Sequence, residues 1–449
     1  MLSAPGRSVR QRSMPPSSNP RPFRLSDDRT WRLGLGAICA GAFLLRLIYV
    51  LALRRHSLLT GDAFQFHNGA NLLADGRGFI DPFAHSMGLL RQTAQHPPLY
   101  LLVLALVSKL GLRSVLDHQV WSCVIGTGTV ALVGVAGRQL GGKRVGLIAA
   151  GLAAVYPNLW LWDGLVLSET LGLFVTALIV VMAYGLLERR TIGAAAWFGA
   201  ACGLGALTRA EAALFLPAIL VPLVVTARDL EARRRLQILA VPALVAVGLA
   251  APWVVFNMTR FHHPPLGTST EFAQTLVLAN CDRTYFGDGL GSRAYNCLPQ
   301  SDVLFPPGAD ETDDGELYRK AALQYVGDHA ARVPIVVVAR EGRAWGVFRP
   351  LDQLRAETYL ERRDLEVARV GYAFYVVLAL SSVAGAVMLR RRGVPLSPLL
   401  AIVATVALAI AITFGQTRYR CAVEIVLVLL SAVTFDHLVS WAMAYEEES

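Results

Sequence analysis

The chain has 449 residues, 54% of them hydrophobic and 17% charged, and a mean hydropathy of +0.46. So few charges on so much apolar sequence exclude an ordinary soluble domain. The formal charge of +9 does not point to nucleic acid, because Lys and Arg lie in short clusters between apolar windows, as in cytoplasmic loops of membrane proteins.

Residues 1–27 are rich in Pro, Ser and Arg and read as a disordered cytoplasmic tail, with no cleavable signal pattern. Apolar windows then recur at 32–53, 118–137, 143–161, 164–187, 191–208, 211–227, 236–256, 369–389, 395–414 and 421–441. Each reaches the roughly 17–25 residues that cross a bilayer as a helix. The apolar stretch 98–112 is at the short end. If it does not span, Arg138 to Arg144 (RQLGGKR), Glu188-Arg189-Arg190, the basic cluster 228–235 and Arg390-Arg391-Arg392 all fall inside. If it spans, all of them flip outside, against the positive-inside rule. We therefore read it as a juxtamembrane or re-entrant helix on the outer face. The expected fold is an all-α polytopic membrane protein with about ten transmembrane helices and both termini cytoplasmic. Its parts are the tail 1–27, a transmembrane module 28–256 with a first outer loop 54–117, an outer loop domain 257–368, and C-terminal helices and tail 369–449.

Asp62 opens the first outer loop, in Thr60-Gly61-Asp62-Ala63-Phe64-Gln65-Phe66-His67. An acid at the mouth of a membrane helix suits a catalytic base. The plainer reading is a helix N-cap, with Gln65 completing a capping box. Further on, Arg91 and His96 precede Pro97-Pro98-Leu99-Tyr100, and a helix begun at those prolines would set both cations near its N-terminus, which favours phosphate. Asp163 follows Trp160-Leu161-Trp162 and is expected outside. Glu169 lies in the next apolar window, where a carboxylate needs a partner. Arg209, Arg418, Tyr419 and Arg420 fall at outer ends of windows, against the positive-inside bias. Ion pairs of Arg209 with Glu169 or Glu211, and of Arg420 with Glu424, would explain them blandly. An anionic ligand at the outer surface would explain them more sharply. His262 and His263 are candidates to join the acids around a divalent metal. In the outer loop, Leu317, Ala321, Tyr325 and Val326 recur at helical spacing. Cys281 and Cys297 lie together on what is read as the oxidising side, where a disulfide would clamp a loop with little core; free thiols are the alternative.

Several segments in order resemble the GT-C membrane glycosyltransferases, in particular family 39-like proteins related to protein O-mannosyltransferases and lipid A aminoarabinose transferase. They are Gly61-Asp62 followed by His67, Ala70, Leu73 and Gly76-Arg77-Gly78-Phe79; His96-Pro97-Pro98-Leu99-Tyr100; Tyr156-Pro157 followed by Ser168-Glu169; Gly203 to Arg209; Pro252-Trp253 with Asn257; and Arg418-Tyr419-Arg420. The resemblance covers roughly residues 32–440. It implies a GT-C bundle and an inverting transfer on the outer face of a cell membrane, from a polyprenyl-phosphate sugar to a hydroxyl of a glycan, lipid or protein. The acid of the first loop maps onto Asp62 and that of the second outer loop onto Asp163. Arg91, His96, Arg209, Arg418 and Arg420 become candidates for the donor phosphate, with His67, Tyr100, Glu169 and Tyr419 lining the pocket. Family members often carry Asp-Glu in the first loop, whereas Ala63 follows Asp62 here. His96 stands near where the aminoarabinose enzymes have a lysine. Burial is expected to raise the pKa of Asp62 towards the working range. No cofactor is implied with certainty, and a divalent metal stays open. The rival class is a membrane transporter or lipid-linked sugar flippase, which predicts polar groups near the midplane and paired repeats.

Overall fold

The computed structural model describes residues 25–226, 231–263, 265–299 and 308–448. The expected tail lies outside the described residues up to 24, as does part of the 228–235 cluster.

Helix α1 (Leu25–Tyr49) runs into a π turn at Val50–Arg54. The first loop holds α2 (Asp62–Ala74) and the short α3 (Pro82–Ser86). Pro98 starts α4 (Pro98–Lys109) at a position where a missing N–H is harmless. A Ser114/Asp117 capping box opens α5 (Val115–Gly141). After α6 (Lys143–Val155) the chain bends by 74° into α7 (Pro157–Trp160) and the turn Leu161–Gly164. The bundle continues with α8 (Glu169–Arg189), α9 (Ile192–Thr208), α10 (Phe215–Thr226) and α11 (Ala232–Met258). The region after α11 carries α12 (Phe272–Ala279), α13 (Asp282–Tyr285), α14 (Glu311–Asp328), α15 (Val333–Ala344) and α16 (Pro350–Glu361). The chain then returns through α17 (Leu365–Arg391), α18 (Ser397–Ile412) and α19 (Cys421–Glu448).

Among the described residues there is no named strand, only an isolated bridge between Ile80 and Gln92. The all-α expectation therefore holds. Among the described residues, six helices are long and apolar enough to cross a membrane, or seven if the bent α6–α7 pair is one span. The chain is an integral multi-pass membrane protein. The expected ten spans are not reached by this measure, because α9, α10 and α18 are shorter apolar helices. Helix α4 is short too, with 12 residues.

The centre of α19 is enclosed on all sides: Val423, Ile425, Val426, Val428, Leu429 and Val433 are all buried. A helix apolar all round is a core helix, and α19 serves as the post of the bundle. Ala149, Ala150 and Ala153 of α6 are fully buried, and such small side chains let helices approach closely. The α12–α16 region is sewn to the loop after α1 through the first turn of α14. Glu311 accepts from Ala94 N at 2.6 Å, Thr93 Oγ1 at 2.7 Å and Thr270 Oγ1 at 2.7 Å. Asp314 pairs with Arg91 at 2.5 Å. The segment 91–96, which leads to His96, is thereby fastened.

Candidate functional site

Gly61 has φ +55°, a backbone state open to glycine, and it takes the N-cap position of α2. Asp62 is then the first helical residue, where its charge suits the helix dipole. This corrects the expectation that Asp62 is the N-cap: its side chain makes no capping bond, and Gln65 Nε2 instead donates to Gln95 at 2.7 Å. The Asp62 carboxylate turns into the protein. Oδ2 lies 2.6 Å from Arg418 Nη1 and Oδ1 lies 3.9 Å from His96 Nε2. Phe66, one turn further along α2, stacks on the His96 ring at 4.7 Å between centroids. Glu271 Oε2 sits 3.1 Å from His96 Nδ1 and fixes the ring from behind.

Arg418 also bonds Glu169, the first residue of α8. Glu169 meets Arg209 at 2.5 Å, and Arg209 meets Glu211 at 2.5 Å. Asp62, Arg418, Glu169, Arg209 and Glu211 thus form one chain of alternating charge. Glu361 joins it at 3.9 Å from Arg418 and 3.7 Å from Arg293. The turn Thr417–Arg420 that presents Arg418 is itself held: Glu357 accepts from Thr417 N at 2.7 Å, and Arg363 reaches Thr417 Oγ1 at 2.9 Å. Pairing is what makes so many buried charges tolerable. The pairing is incomplete at the centre, where His96 Nε2, Glu169 Oε2, Arg293 Nε and Glu361 Oε1 are buried without a hydrogen bond. Such atoms mark a place built to receive a polar group.

Burial alone would raise the Asp62 pKa, but Arg418, then His96 and Arg293, outweigh it and hold the carboxyl below the ordinary 3.8. The expected upward shift is therefore corrected: the neighbouring cations win over desolvation. Burial alone would lower His96, but Glu271 and Asp62 outweigh it and raise the imidazole above 6.5.

Other residues expected at the site are placed elsewhere. Asp163 lies 2.9 Å from Arg46, both fully buried, and accepts from Thr170 Oγ1 at 2.9 Å. Gly126 makes room for this pair, since a Cβ there would meet Asp163 Oδ2 at 2.5 Å and Arg46 Nε at 2.8 Å. Arg91 serves the α14 contact with Asp314. His67 faces His118, Nδ1 to Nδ1 at 3.0 Å, because five residues along a helix turn it about 140° away from Asp62. Tyr100 is buried beneath Phe66 and bonds Ser122 at 3.0 Å. Arg420 pairs with Glu424 at 2.8 Å, as its spacing suggested, donates to Ala344 O at 2.6 Å, and covers the Tyr375 ring. His262 and His263 do not join the Asp62 acids; they face Asp310 and Asp313. Cys281 and Cys297 are joined as a disulfide, with Cα atoms 5.5 Å apart.

A small, mostly apolar cavity of about 20 Å³ lies beside the charge chain, with Arg209, Glu211 and Tyr419 at its polar end and Val175, Ile179 and Phe215 among its apolar walls. It has room for about one water, so a lipid chain would enter only if these elements parted.

Sequence reasoning missed Glu271, Arg293, Glu357 and Glu361, which look like ordinary outer-loop charges until the chain folds back. It also missed Arg46, although a charge inside the first apolar window was a visible signal.

Asp62, His96 and Glu271 each put one donor atom within 4.8 Å of the others, a spacing compatible with one divalent cation. Arg418 competes for the same carboxylate, and Glu271 faces the opposite ring nitrogen from Asp62.

Residues 95–256 match the family model described as dolichyl-phosphate-mannose-protein mannosyltransferase. No curated protein matches the sequence. Among solved structures, the chain is similar to the oligosaccharyltransferase AglB of Archaeoglobus fulgidus in complex with an inhibitory peptide and a dolichol-phosphate. The identity is 13% and the TM-score 0.54, over 94% of this chain and 52% of that one. The oligosaccharyltransferase of the same organism in complex with Zn and sulfate is 15% identical, with a TM-score of 0.51 over 91% of this chain and 51% of that one. ArnT from Cupriavidus metallidurans bound to undecaprenyl phosphate aligns at 15% identity and a TM-score of 0.45, over 90% of this chain and 78% of that one. The chain spans about half the length of the archaeal oligosaccharyltransferases it matches. The likeness expected from the ordered sequence segments is thus met by both comparisons: the chain shares the fold of these archaeal oligosaccharyltransferases, and its residues 95–256 carry the match to the protein mannosyltransferase model.

Proposed function

We propose that the chain is an inverting glycosyltransferase moving a sugar from a polyprenyl-phosphate donor to an acceptor hydroxyl at the outer face of the membrane. The observation that carries this reading is the Asp62–Arg418 pair, set in a buried charge chain with unbonded polar atoms at its centre. A base and a phosphate-binding cation in direct contact are what such a transfer needs.

At rest Asp62 is a weak base, because Arg418 holds it ionised. A donor phosphate arriving at Arg418 would draw the guanidinium away from Asp62 and raise its proton affinity. Asp62 then accepts the proton of the attacking hydroxyl. The hydroxyl oxygen bonds the anomeric carbon from the opposite side, the carbon–oxygen bond to phosphate breaks, and polyprenyl phosphate leaves as an anion. Arg418 and Arg209 supply the positive charge that the leaving oxygens need, and His96 adds to it in its protonated form. Asp163 carries no part of this scheme, since Arg46 engages it away from Asp62. A divalent cation at Asp62 and His96 would add to the same positive field, and no step depends on it.

The test is release of polyprenyl phosphate by purified protein on adding acceptor to a panel of polyprenyl-phosphate sugars. Acceptor-dependent release is expected. A transporter or flippase would move the donor intact, and intact donor throughout the panel would refute the reading.

A further inference from the structure

A second cluster lies away from Asp62, where the chain leaving α11 meets the first turn of α14. Two adjacent imidazoles and two carboxylates converge there. His262 Nδ1 lies 2.8 Å from Asp313 Oδ2 and 3.7 Å from Asp310 Oδ2, and His263 Nε2 lies 3.3 Å from Asp313 Oδ1. His262, Asp310 and Asp313 each place one donor atom within 4.8 Å of the others. We infer that His262, Asp310 and Asp313 form a structural divalent-cation site, with His263 beside it on the other oxygen of Asp313, and with Zn²⁺ the ion that the donor set fits best.

Three observations carry this. One imidazole nitrogen and two carboxylate oxygens are donors that zinc accepts. Bonds of about 2.0–2.1 Å in a tetrahedron put neighbouring donors ~3.3 Å apart, and the contacts of His262 Nδ1, 2.8 Å to Asp313 Oδ2 and 3.7 Å to Asp310 Oδ2, bracket that spacing. Two carboxylates also balance the ion's charge, and no Lys or Arg forms an ion pair with Asp310 or Asp313 among the described residues.

The backbone supports the same convergence. Asp310 caps α14 through Oδ1, which accepts from Thr312 N at 2.8 Å, so Oδ2 is left towards the histidines. Oδ2 accepts from His262 N at 2.7 Å, and His263 N donates to Thr312 Oγ1 at 3.1 Å. Both histidine backbones are therefore held against the turn that carries the acids.

The consequence reaches the candidate active site. The same turn of α14 carries Glu311, which bonds Thr93 and Ala94, and Asp314, which pairs with Arg91. An ion that ties the end of α11 to this turn would stiffen the segment leading to His96. The site positions that segment and touches no substrate.

The test is Zn²⁺ binding to the purified full chain, metal-stripped and titrated against a chromophoric chelator. Wild type and Glu271→Gln are expected to bind Zn²⁺ here, and His262→Asn/His263→Asn to lose one equivalent. Asp313→Asn should weaken binding by at least ~10-fold, the smaller end of what losing even an outer-shell partner costs. X-ray absorption of the zinc-loaded Glu271→Gln protein should show imidazole nitrogen and oxygen donors, and it reads the site in a chain whose second cluster is intact. Chelation should speed amide exchange at Ala94 in wild type and leave it unchanged in the double histidine variant. Equal zinc stoichiometry in wild type and the double variant, no binding at micromolar Zn²⁺, or a spectrum without imidazole would overturn the site.

Discussion

Replacing Arg418 by Gln removes the strongest of the charges that hold Asp62 below 3.8. A guanidinium in contact lowers an aspartate by about 1–3 pH units, so its loss should raise Asp62 by that much. Each unit corresponds to about 1.4 kcal/mol. The direction follows from the pairing. In wild type the folded value is depressed, so the stability from this pair is present above 3.8 and is lost as pH falls through the lower folded value. In Arg418→Gln the acid limb should move up towards neutrality. The assay is the pH dependence of kcat/KM for donor, which reports groups of the free enzyme. Donor KM should also rise, because Arg418 is the proposed phosphate contact. Glu169 would lose one of its two cations, and breaking such a buried pair costs about 3–5 kcal/mol, so thermal unfolding should be followed in parallel. Arg418→Lys keeps the charge and should shift the limb less. An acid limb that stays in place in a folded Arg418→Gln protein would refute control of Asp62 by Arg418.

Gly126→Ala should destabilise the protein by about 3 kcal/mol or more, because a Cβ 2.5 Å from Asp163 Oδ2 must part the buried Arg46–Asp163 pair; an unchanged melting temperature would contradict the packing. His96→Gln should remove an alkaline limb from kcat/KM. The folded His96 pKa lies above 6.5, so its contribution is complete below that value and fades as pH rises through the folded one; an unaltered alkaline limb would assign it to another group. Cys281→Ser/Cys297→Ser opens a loop of sequence separation 16 and should cost about 3 kcal/mol in chemical denaturation, while a reducing agent should lower wild type towards the variant.

The helices were legible because bilayer thickness writes itself into apolar window length. The shortfall lies in α9, α10 and α18, apolar helices of 17, 12 and 16 residues that fall under the length measure. Arg209 ends α9, for instance, with an extended backbone at φ −145°. At the site, Asp62 and the Arg418-Tyr419-Arg420 turn stood out as charges against the topology. The turn itself was not legible, since a 3-10 turn points Arg418 at Asp62 and Arg420 at Glu424. The Arg420–Glu424 pair was readable from its four-residue spacing. Glu271, Arg293 and Glu361 were not, because nothing local separates an outer-loop charge that meets Arg418 or His96 from one that meets water. Asp163 was read as an outer acid, and only the fold shows Arg46 beside it.

The most direct test of the proposed chemistry is Asp62→Asn, an isosteric change that removes the base and leaves Arg418 free for the donor phosphate. Acceptor-dependent release of polyprenyl phosphate should fall by about 10²–10⁴-fold, the scale of general base catalysis, with donor binding retained. Release at close to the wild-type rate would contradict the assignment of Asp62 as the base.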